Sequence, residues 1–273
     1  MKLLAISDLH LSSSPNMQAL LEMPAFPDDW LIVAGDVAES LERFCEGLVL
    51  LSERFAKVIW APGNHDLWTV PGPAGRGLLK YEAMVAIARD VGVVTPEDPY
   101  LVWPGDGEPF VIVPTLLLYD YSFRPPEIPL ASVVAWAREE RSVCGDEMLL
   151  DPAPFASISD WCHQRCRETE RRLIELGPDV PKIIANHYPL RRDLVYIPRV
   201  PRFSPWCGTV LTEDWHTRFN VRVAVSGHLH VRRTDWRDGT RFEEVSFGYP
   251  QQWDPQRGMA AYLRPIWPAS DAT

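Results

Sequence analysis

Seven side chains with metal-seeking donor atoms fall in five short motifs: Asp8-Leu9-His10, Gly35-Asp36, Gly63-Asn64-His65-Asp66, His187 and Gly227-His228-Leu229-His230. Asp8, Asp36, Asn64, His10, His187, His228 and His230 together offer carboxylate, amide and imidazole donors but no sulfur. Such a set suits Mn, Fe, Co or Zn and not Cu(I). Asp36 is the natural bridge, because a carboxylate can hold two ions at the ~3.5–4 Å separation at which paired metals clamp an in-line displacement at phosphorus. Two carboxylates and one hydroxide offset most of the charge on two divalent ions, and the remaining positive field draws in a phosphate ester.

Taken singly, the pieces are weak. A Gly-Asp after a strand is usually a turn or a helix cap. Asn in a turn is often structural, because it tolerates a left-handed backbone. The ordered, complete set is what points to a metal site. Two other signals carry less. Cys162-x-x-x-Cys166 beside His163 resembles a ligand cluster, but both cysteines fall on the apolar stripe of a helix and read as buried free thiols. His216 has no partner motif and reads as a helix-surface residue.

The elements that must position these residues can be read from periodicity. Short apolar runs at 2–7, 30–35 and 57–61 read as buried strands, and each stops just before a motif. Ligands gather at such strand ends in open α/β sheets. Between the second and third strands, Leu41, Phe44, Cys45, Leu48 and Leu51 at helical spacing predict a crossover helix within 37–55 and parallel pairing. Residues 67–77, rich in Pro and Gly, read as a loop near the site, followed by helix over 78–91. Runs at 100–103 and 109–118 around a Pro-Gly-Asp-Gly-Glu-Pro turn predict an antiparallel hairpin, which makes the sheets mixed. A helix over 155–176 ends at Gly177-Pro178. Strands are expected at 181–186, 221–226, 230–237 and 241–247, the last two joined by Asp238-Gly239. The reading is one α/β domain over 1–264 with a short, poorly ordered tail at 265–273.

Bulk properties narrow the partners. The chain has 273 residues, enough for one sizeable core, and a net charge of -10. That balance argues against a broad grip on duplex nucleic acid, which demands clustered Lys and Arg. No run approaches the ~20 apolar residues of a membrane span. Five scattered cysteines in a chain of this size fit a reducing cytoplasm.

The ordered motifs over residues 8–230 resemble the calcineurin-like metallophosphoesterase superfamily. The resemblance implies a four-layer αββα sandwich of two mixed sheets flanked by helices. It also implies that Asp8, His10, Asp36 and His230 hold one ion while Asp36, Asn64, His187 and His228 hold the other, with His65 as the acid catalyst. Asp36 is followed by Val37-Ala38-Glu39-Ser40, unlike the Asp-x-x-Asp-Arg-Gly of the large Ser/Thr protein phosphatases. The Gly-Asn-His-Asp form is shared with diesterases.

In the carboxyl half, Asn186-His187-Tyr188-Pro189-Leu190, Pro205-Trp206-Cys207-Gly208-Thr209 and Phe242-Glu243-Glu244-Val245-Ser246 resemble a narrower branch, the bacterial phosphopantetheinyl hydrolases. Such enzymes remove 4'-phosphopantetheine from the serine of acyl carrier proteins and depend on Mn or Fe. Arg191, Arg192, Arg199 and Arg202, opposed only by Asp193, form a basic, Pro-stiffened loop after His187. This loop either steers an acidic carrier toward the metals or pairs with local Glu and Asp. The alternatives are a cyclic or small nucleotide diesterase with Trp68, Tyr119, Tyr121 or Trp206 stacked on a base, and a non-catalytic scaffold that keeps the fold for protein binding. The choice of ester rests on loops 67–77 and 188–210.

Overall fold

The computed structural model describes residues 1–72, 75–105 and 107–268. Pro73 and Ala74 of the Pro/Gly-rich loop, Asp106 of the expected hairpin turn and residues 269–273 of the expected tail lie outside the described residues. The chain opens with the expected β-α-β wiring. Strand β1 (Leu3–Ile6) leads through helix α1 (Ser14–Leu21) to β2 (Phe26–Val33), then through α2 (Leu41–Ser52) to β3 (Phe55–Trp60). These three strands are parallel. Helix α2 starts where the Ser40 side chain accepts from the Arg43 N–H, which satisfies one of the unpaired donors of the first turn. Next come α3 (Asn64–Leu67), α4 (Gly77–Asp90) and the antiparallel pair β4 (Leu101–Val102) and β5 (Val111–Pro114).

Three helices follow: α5 (Val133–Glu139), α6 (Asp146–Leu149) and the long α7 (Ile158–Leu176). Gly177, at φ 81°, takes the left-handed turn that ends α7. Strand β6 (Lys182–Ala185), helix α8 (Trp215–Arg218), β7 (Val221–Ser226), β8 (Thr234–Arg237), β9 (Thr240–Glu244) and β10 (Arg264–Trp267) complete the chain. The first sheet runs β10-β1-β2-β3 and the second β4-β5-β6-β7-β9-β8.

Strand alternation decides how the sheets stack. Leu3, Ala5, Ile32, Ala34 and Ile59 from one sheet share an apolar cluster with Ile112, Ile183, Ala185, Val223 and Val225 from the other. Their in-between neighbours, such as Leu4, Ile6, Leu31, Val33 and Ile184, pack with helix residues including Leu48, Met84 and Trp161. The central strands, such as β1, β5 and β6, are therefore buried on both faces, sheet on one side and helix on the other, as the αββα sandwich requires. A parallel bridge between Ser7 and Ser246 ties the end of β1 to the chain leaving β9. The carboxyl ends of β1 and β9 thus meet where the ligand motifs lie.

Three expectations are corrected. The strand over 230–237 is confined to Thr234–Arg237, because His228, His230 and Arg232 take φ of 70°, 54° and 36°, which no strand accommodates. The tail does not begin at residue 265: Arg264–Trp267 pair antiparallel with β1, and Ile266 is fully buried. Pro265 and the lone apolar pair around it gave no period to read. His216 is not on the surface. It is buried, its Nε2 bonds Asp238 Oδ2 at 2.9 Å, and its ring meets Phe242 edge-on at 5.5 Å.

Candidate metal centre

Five of the seven candidate ligands sit in the left-handed backbone region: Asp8 (φ 55°), His10 (44°), Asp36 (55°), His228 (70°) and His230 (54°). Each such residue costs on the order of 1–3 kcal/mol unless its surroundings fix it. Here they do. Asp8 N–H bonds Gly35 O at 3.0 Å and His10 N–H bonds Asp36 O at 2.9 Å. His228 N–H donates to Asp8 Oδ2 at 3.1 Å and His230 N–H to Glu244 Oε1 at 3.0 Å. The loops approach so closely that a Cβ on Gly63 would strike the Asp36 carboxylate, and one on Gly227 would strike Ser7 Oγ and Asp8 Oδ2. Glycine is the residue that permits both crossings.

The donor atoms converge. Asp8, His10 and His230 bring ligand atoms within 4.8 Å of one another, as do Asp8, Asp36 and His187, and also His10, Asp36 and His65. His230 Nε2 lies 2.9 Å from Asp8 Oδ1 and 3.4 Å from His10 Nε2. His187 Nε2 lies 3.0 Å from Asn64 Oδ1 and 3.4 Å from Asp36 Oδ2. The far nitrogens fix the ring protons: His187 Nδ1–H donates to Ala34 O at 2.9 Å and His230 Nδ1–H to Gln252 Oε1 at 2.7 Å. In the neutral rings both Nε2 atoms therefore aim lone pairs at oxygens that can only accept. Such a meeting of lone pairs is stable only around positive charge, supplied by a metal ion or by a second ring proton. His228 Nε2 is buried with no hydrogen-bond partner, as a cation ligand would be. The residues present thus fit metal ions.

The electrostatics agree. Burial opposes a charged His187 and a charged His230, yet the field of Asp36 raises the first to about 10 and that of Asp8 the second to about 9. Burial alone would raise the Asp8 and Asp36 carboxyls, but His230 beside Asp8 and His187 beside Asp36 pull both well down. His10 and His228 lie where burial prevails, which lowers them to about 4 and about 3. Two ionised carboxylates and two neutral imidazoles are thus held ready as ligands.

Residues 1–232 match the calcineurin-like phosphoesterase family. The chain belongs to that family. Its chemistry is phosphoric ester hydrolysis, and the family is one of metal-dependent enzymes. The chain is also similar to an [acyl-carrier-protein] phosphodiesterase, PptH, of Mycobacterium tuberculosis (strain ATCC 25618 / H37Rv), 48% identical over 270 residues, or 97% of this chain and 82% of that protein. The crystal structure of phosphopantetheinyl hydrolase (PptH) from Mycobacterium tuberculosis superposes with a TM-score of 0.93 at 46% identity, covering 100% of this chain and 98% of that one.

Around the calcineurin-like ligand set stands a layer of groups whose roles carried no sequence signal. Asp66, the last residue of the Gly-Asn-His-Asp motif, does not join the clustered donors. Its carboxylate accepts from the N–H groups of Asp36, Val37, Ala38 and Gly63, so it clamps two ligand loops together. Burial first, then Asp36, raises its pKa to about 6. Asp146 Oδ1 accepts from Asn64 Nδ2 at 2.8 Å and Trp68 Nε1 at 2.6 Å, which turns Asn64 Oδ1 toward His187. Glu39 Oε1 lies 3.0 Å from His65 Nδ1, while its Oε2 accepts from the Ser12 hydroxyl. A carboxylate only accepts, so His65 carries its proton on Nδ1 and presents Nε2 to the cavity. Glu39 was visible only as a departure from a phosphatase motif, and Asp146 lies 82 residues from Asn64.

A cavity of about 420 Å³ opens over Asp36, Asn64, His65, His228 and His230, with Val200, Phe203, Leu229 and Tyr249 on its walls. The candidate base-stacking aromatics are already engaged. Tyr119 and Trp206 are fully buried, Trp68 stacks on His65 at 3.5 Å, and Tyr121 Oη donates to Glu147. Of the basic loop, Arg191 bonds Asp193, and Arg202 meets Glu139 and Glu140. Arg192 and Arg199 are exposed, and neither guanidinium has an acidic partner among the described residues, although the Arg192 backbone N–H donates to Glu213 Oε1 at 3.1 Å. Cys162 and Cys166 are buried and unpaired. Among the described residues no helix is long and apolar enough to cross a membrane.

Proposed function

We propose that the chain is a phosphodiesterase that releases 4'-phosphopantetheine from the serine of acyl carrier proteins. The observation that carries this reading is the identity of 48% over 97% of the chain to a relative named as an [acyl-carrier-protein] phosphodiesterase. In this reading Asp8, His10, Asp36 and His230 hold one ion, and Asp36, Asn64, His187 and His228 hold the second, with Mn and/or Fe as occupants and Zn or Co as substitutes. When bound, the ions attract the diester, counter charge on its oxygens and lower the pKa of a water so that it attacks near neutral pH.

The chain's own residues do the rest. The serine O–P bond breaks as the water oxygen joins phosphorus, and the departing serine alkoxide needs a proton. His65 supplies it from Nε2. Burial disfavours its charged form, but Asp36 and then Glu39 raise its pKa above the ordinary 6.5, which favours the protonated ring that an acid needs. Trp68, stacked on His65 and tied to Asp146, keeps the ring from rotating away. Five unpaired cysteines support a reducing compartment, the cytoplasm, where carrier proteins work.

The test is to incubate Mn-loaded protein with holo-carrier protein, 2',3'- and 3',5'-cyclic nucleotides and a chromogenic diester in parallel. The carrier is expected to lose the mass of one phosphopantetheine and regain its apo form. An intact carrier beside turned-over cyclic nucleotide would reject the proposal. Elemental analysis of protein isolated without added metal identifies the ions.

A further inference from the structure

We infer that a second cavity, about 530 Å³ and lined by Phe123, Val195, Tyr196, Ile197, Pro198 and Ser204 among others, binds the pantetheine arm while its phosphodiester lies over the ligand cluster. This inference rests on the function proposed above. Ile197 lines both this groove and the cavity over the ligands. Its neighbours in sequence alternate between the two: Val200 and Phe203 face the ligand cavity, Pro201 and Ser204 the groove. One loop thus forms the wall between them, and Ile197 is the threshold. Phe123, on the groove side, belongs to the same apolar cluster as Leu229, which lies between His228 and His230. A chain anchored at phosphorus can pass from one space to the other without leaving the protein surface.

The chemistry of the groove fits the arm and not a protein surface. The volume lies within the roughly 300–1,000 Å³ of small-molecule sites. Its polar lining is limited to Glu127, Arg192, Ser204 and the Tyr196 hydroxyl. The arm has the matching make-up: geminal methyls and methylenes that gain from apolar burial, with two amides that need a few hydrogen-bond partners. Arg192 has donors to spare, since its guanidinium makes only a long contact of 3.4 Å to Arg124 O and has no acidic partner among the described residues. Proline at 125, 126, 198 and 201 stiffens the walls, so little order need be imposed on binding. Tyr196, at the rim, has Arg233 over its ring at 5.2 Å and still leaves 59% of its surface exposed to a ligand.

The test compares holo-carrier protein with bis(p-nitrophenyl) phosphate, a diester that lacks the arm. Val195→Trp and, independently on another part of the groove, Ser204→Trp are made in the full chain, with metal content and melting temperature measured. At least one folded variant is expected to lose kcat/KM on holo-carrier at least tenfold more than on the small diester. Free pantetheine is expected to compete with holo-carrier on the wild type and to compete at least tenfold more weakly on that variant. Equal losses on both substrates, or competition by apo-carrier protein but none by pantetheine, would overturn the assignment and give the groove to the carrier surface. If wild-type protein leaves holo-carrier intact, the functional reading falls and the groove with it. If the wild type acts on holo-carrier but the variants do not discriminate, only the groove assignment falls.

Discussion

Replacing Asp146 tests whether the proposed second ion site depends on a residue outside the proposed ligand set. Asp146 is 2% exposed, and its Oδ1 is the shared acceptor for Asn64 Nδ2 at 2.8 Å and Trp68 Nε1 at 2.6 Å. An amide has a donor end and an acceptor end. Holding the donor end on a carboxylate is what turns Asn64 Oδ1 toward His187 Nε2, 3.0 Å away. Asp146→Ala leaves two buried donors unpaired, each a cost of about 1–3 kcal/mol. Part of that is returned, because the carboxyl is itself poorly housed: Oδ2 has no partner, and burial pushes its pKa up. Loss of an outer-layer partner typically weakens metal affinity about 10–100-fold, which corresponds to about 1.4–2.7 kcal/mol. The assay is metal content per chain after dialysis against chelators of graded strength, with the melting temperature of metal-free protein followed in parallel. Asp146→Ala is expected to surrender first the ion that Asn64, His187 and His228 are proposed to hold. Asp146→Asn, which keeps an oxygen in place, is expected to fall between it and the wild type. A variant that melts earlier but keeps both ions at wild-type affinity would refute the positioning role.

Other outcomes follow from the same geometry. His65→Ala is expected to lower kcat on holo-carrier about 10²–10⁴-fold with metal content largely intact, whereas Asp36→Asn loses metal; equal metal loss in both would remove His65 from the acid role. Glu39→Gln should move the alkaline limb of the pH–kcat/KM profile to lower pH. Asp36 and Glu39 raise the His65 pKa, so the protonated acid persists to higher pH, and activity is lost as pH rises through that raised value. An unchanged limb would show that Glu39 does not tune His65. Reversing Arg192 and Arg199 to Glu is expected to reduce kcat/KM on holo-carrier at low salt and flatten its salt dependence. Reversing Arg202 instead breaks its contacts with Glu139 and Glu140 and should lower stability; a salt dependence that responds to Arg202 alone would reverse this assignment.

The convergence of the candidate ligands and the chain fold were legible for one physical reason. Asp8, Asp36 and Asn64 each follow an apolar run that can only be a buried strand, and strand ends in such sheets converge. Asp238-Gly239 announced its hairpin because both residues must take positive φ, and they do, at 51° and 81°. The same left-handed geometry at His228, His230 and Arg232 shortened β8, and nothing in those side chains foretold it. Strand β10 and His216 were misjudged because their burial comes from neighbours distant in the chain: β1 in one case, Asp238 and Phe242 in the other.

The sequence by itself determined the donor set, the parallel wiring that collects it and the ester chemistry that such donors support, since these depend on residue type and local period. Only the tertiary structure decided which groups aim the donors and which charges remain free. Asp146 reaches Asn64 across 82 positions and Glu39 reaches His65 across 26. Arg191 and Arg202 turn out to be neutralised nearby while Arg192 and Arg199 are not. Orientation and pairing are set by contacts between segments remote in sequence, and those contacts exist only once the two sheets have closed on each other.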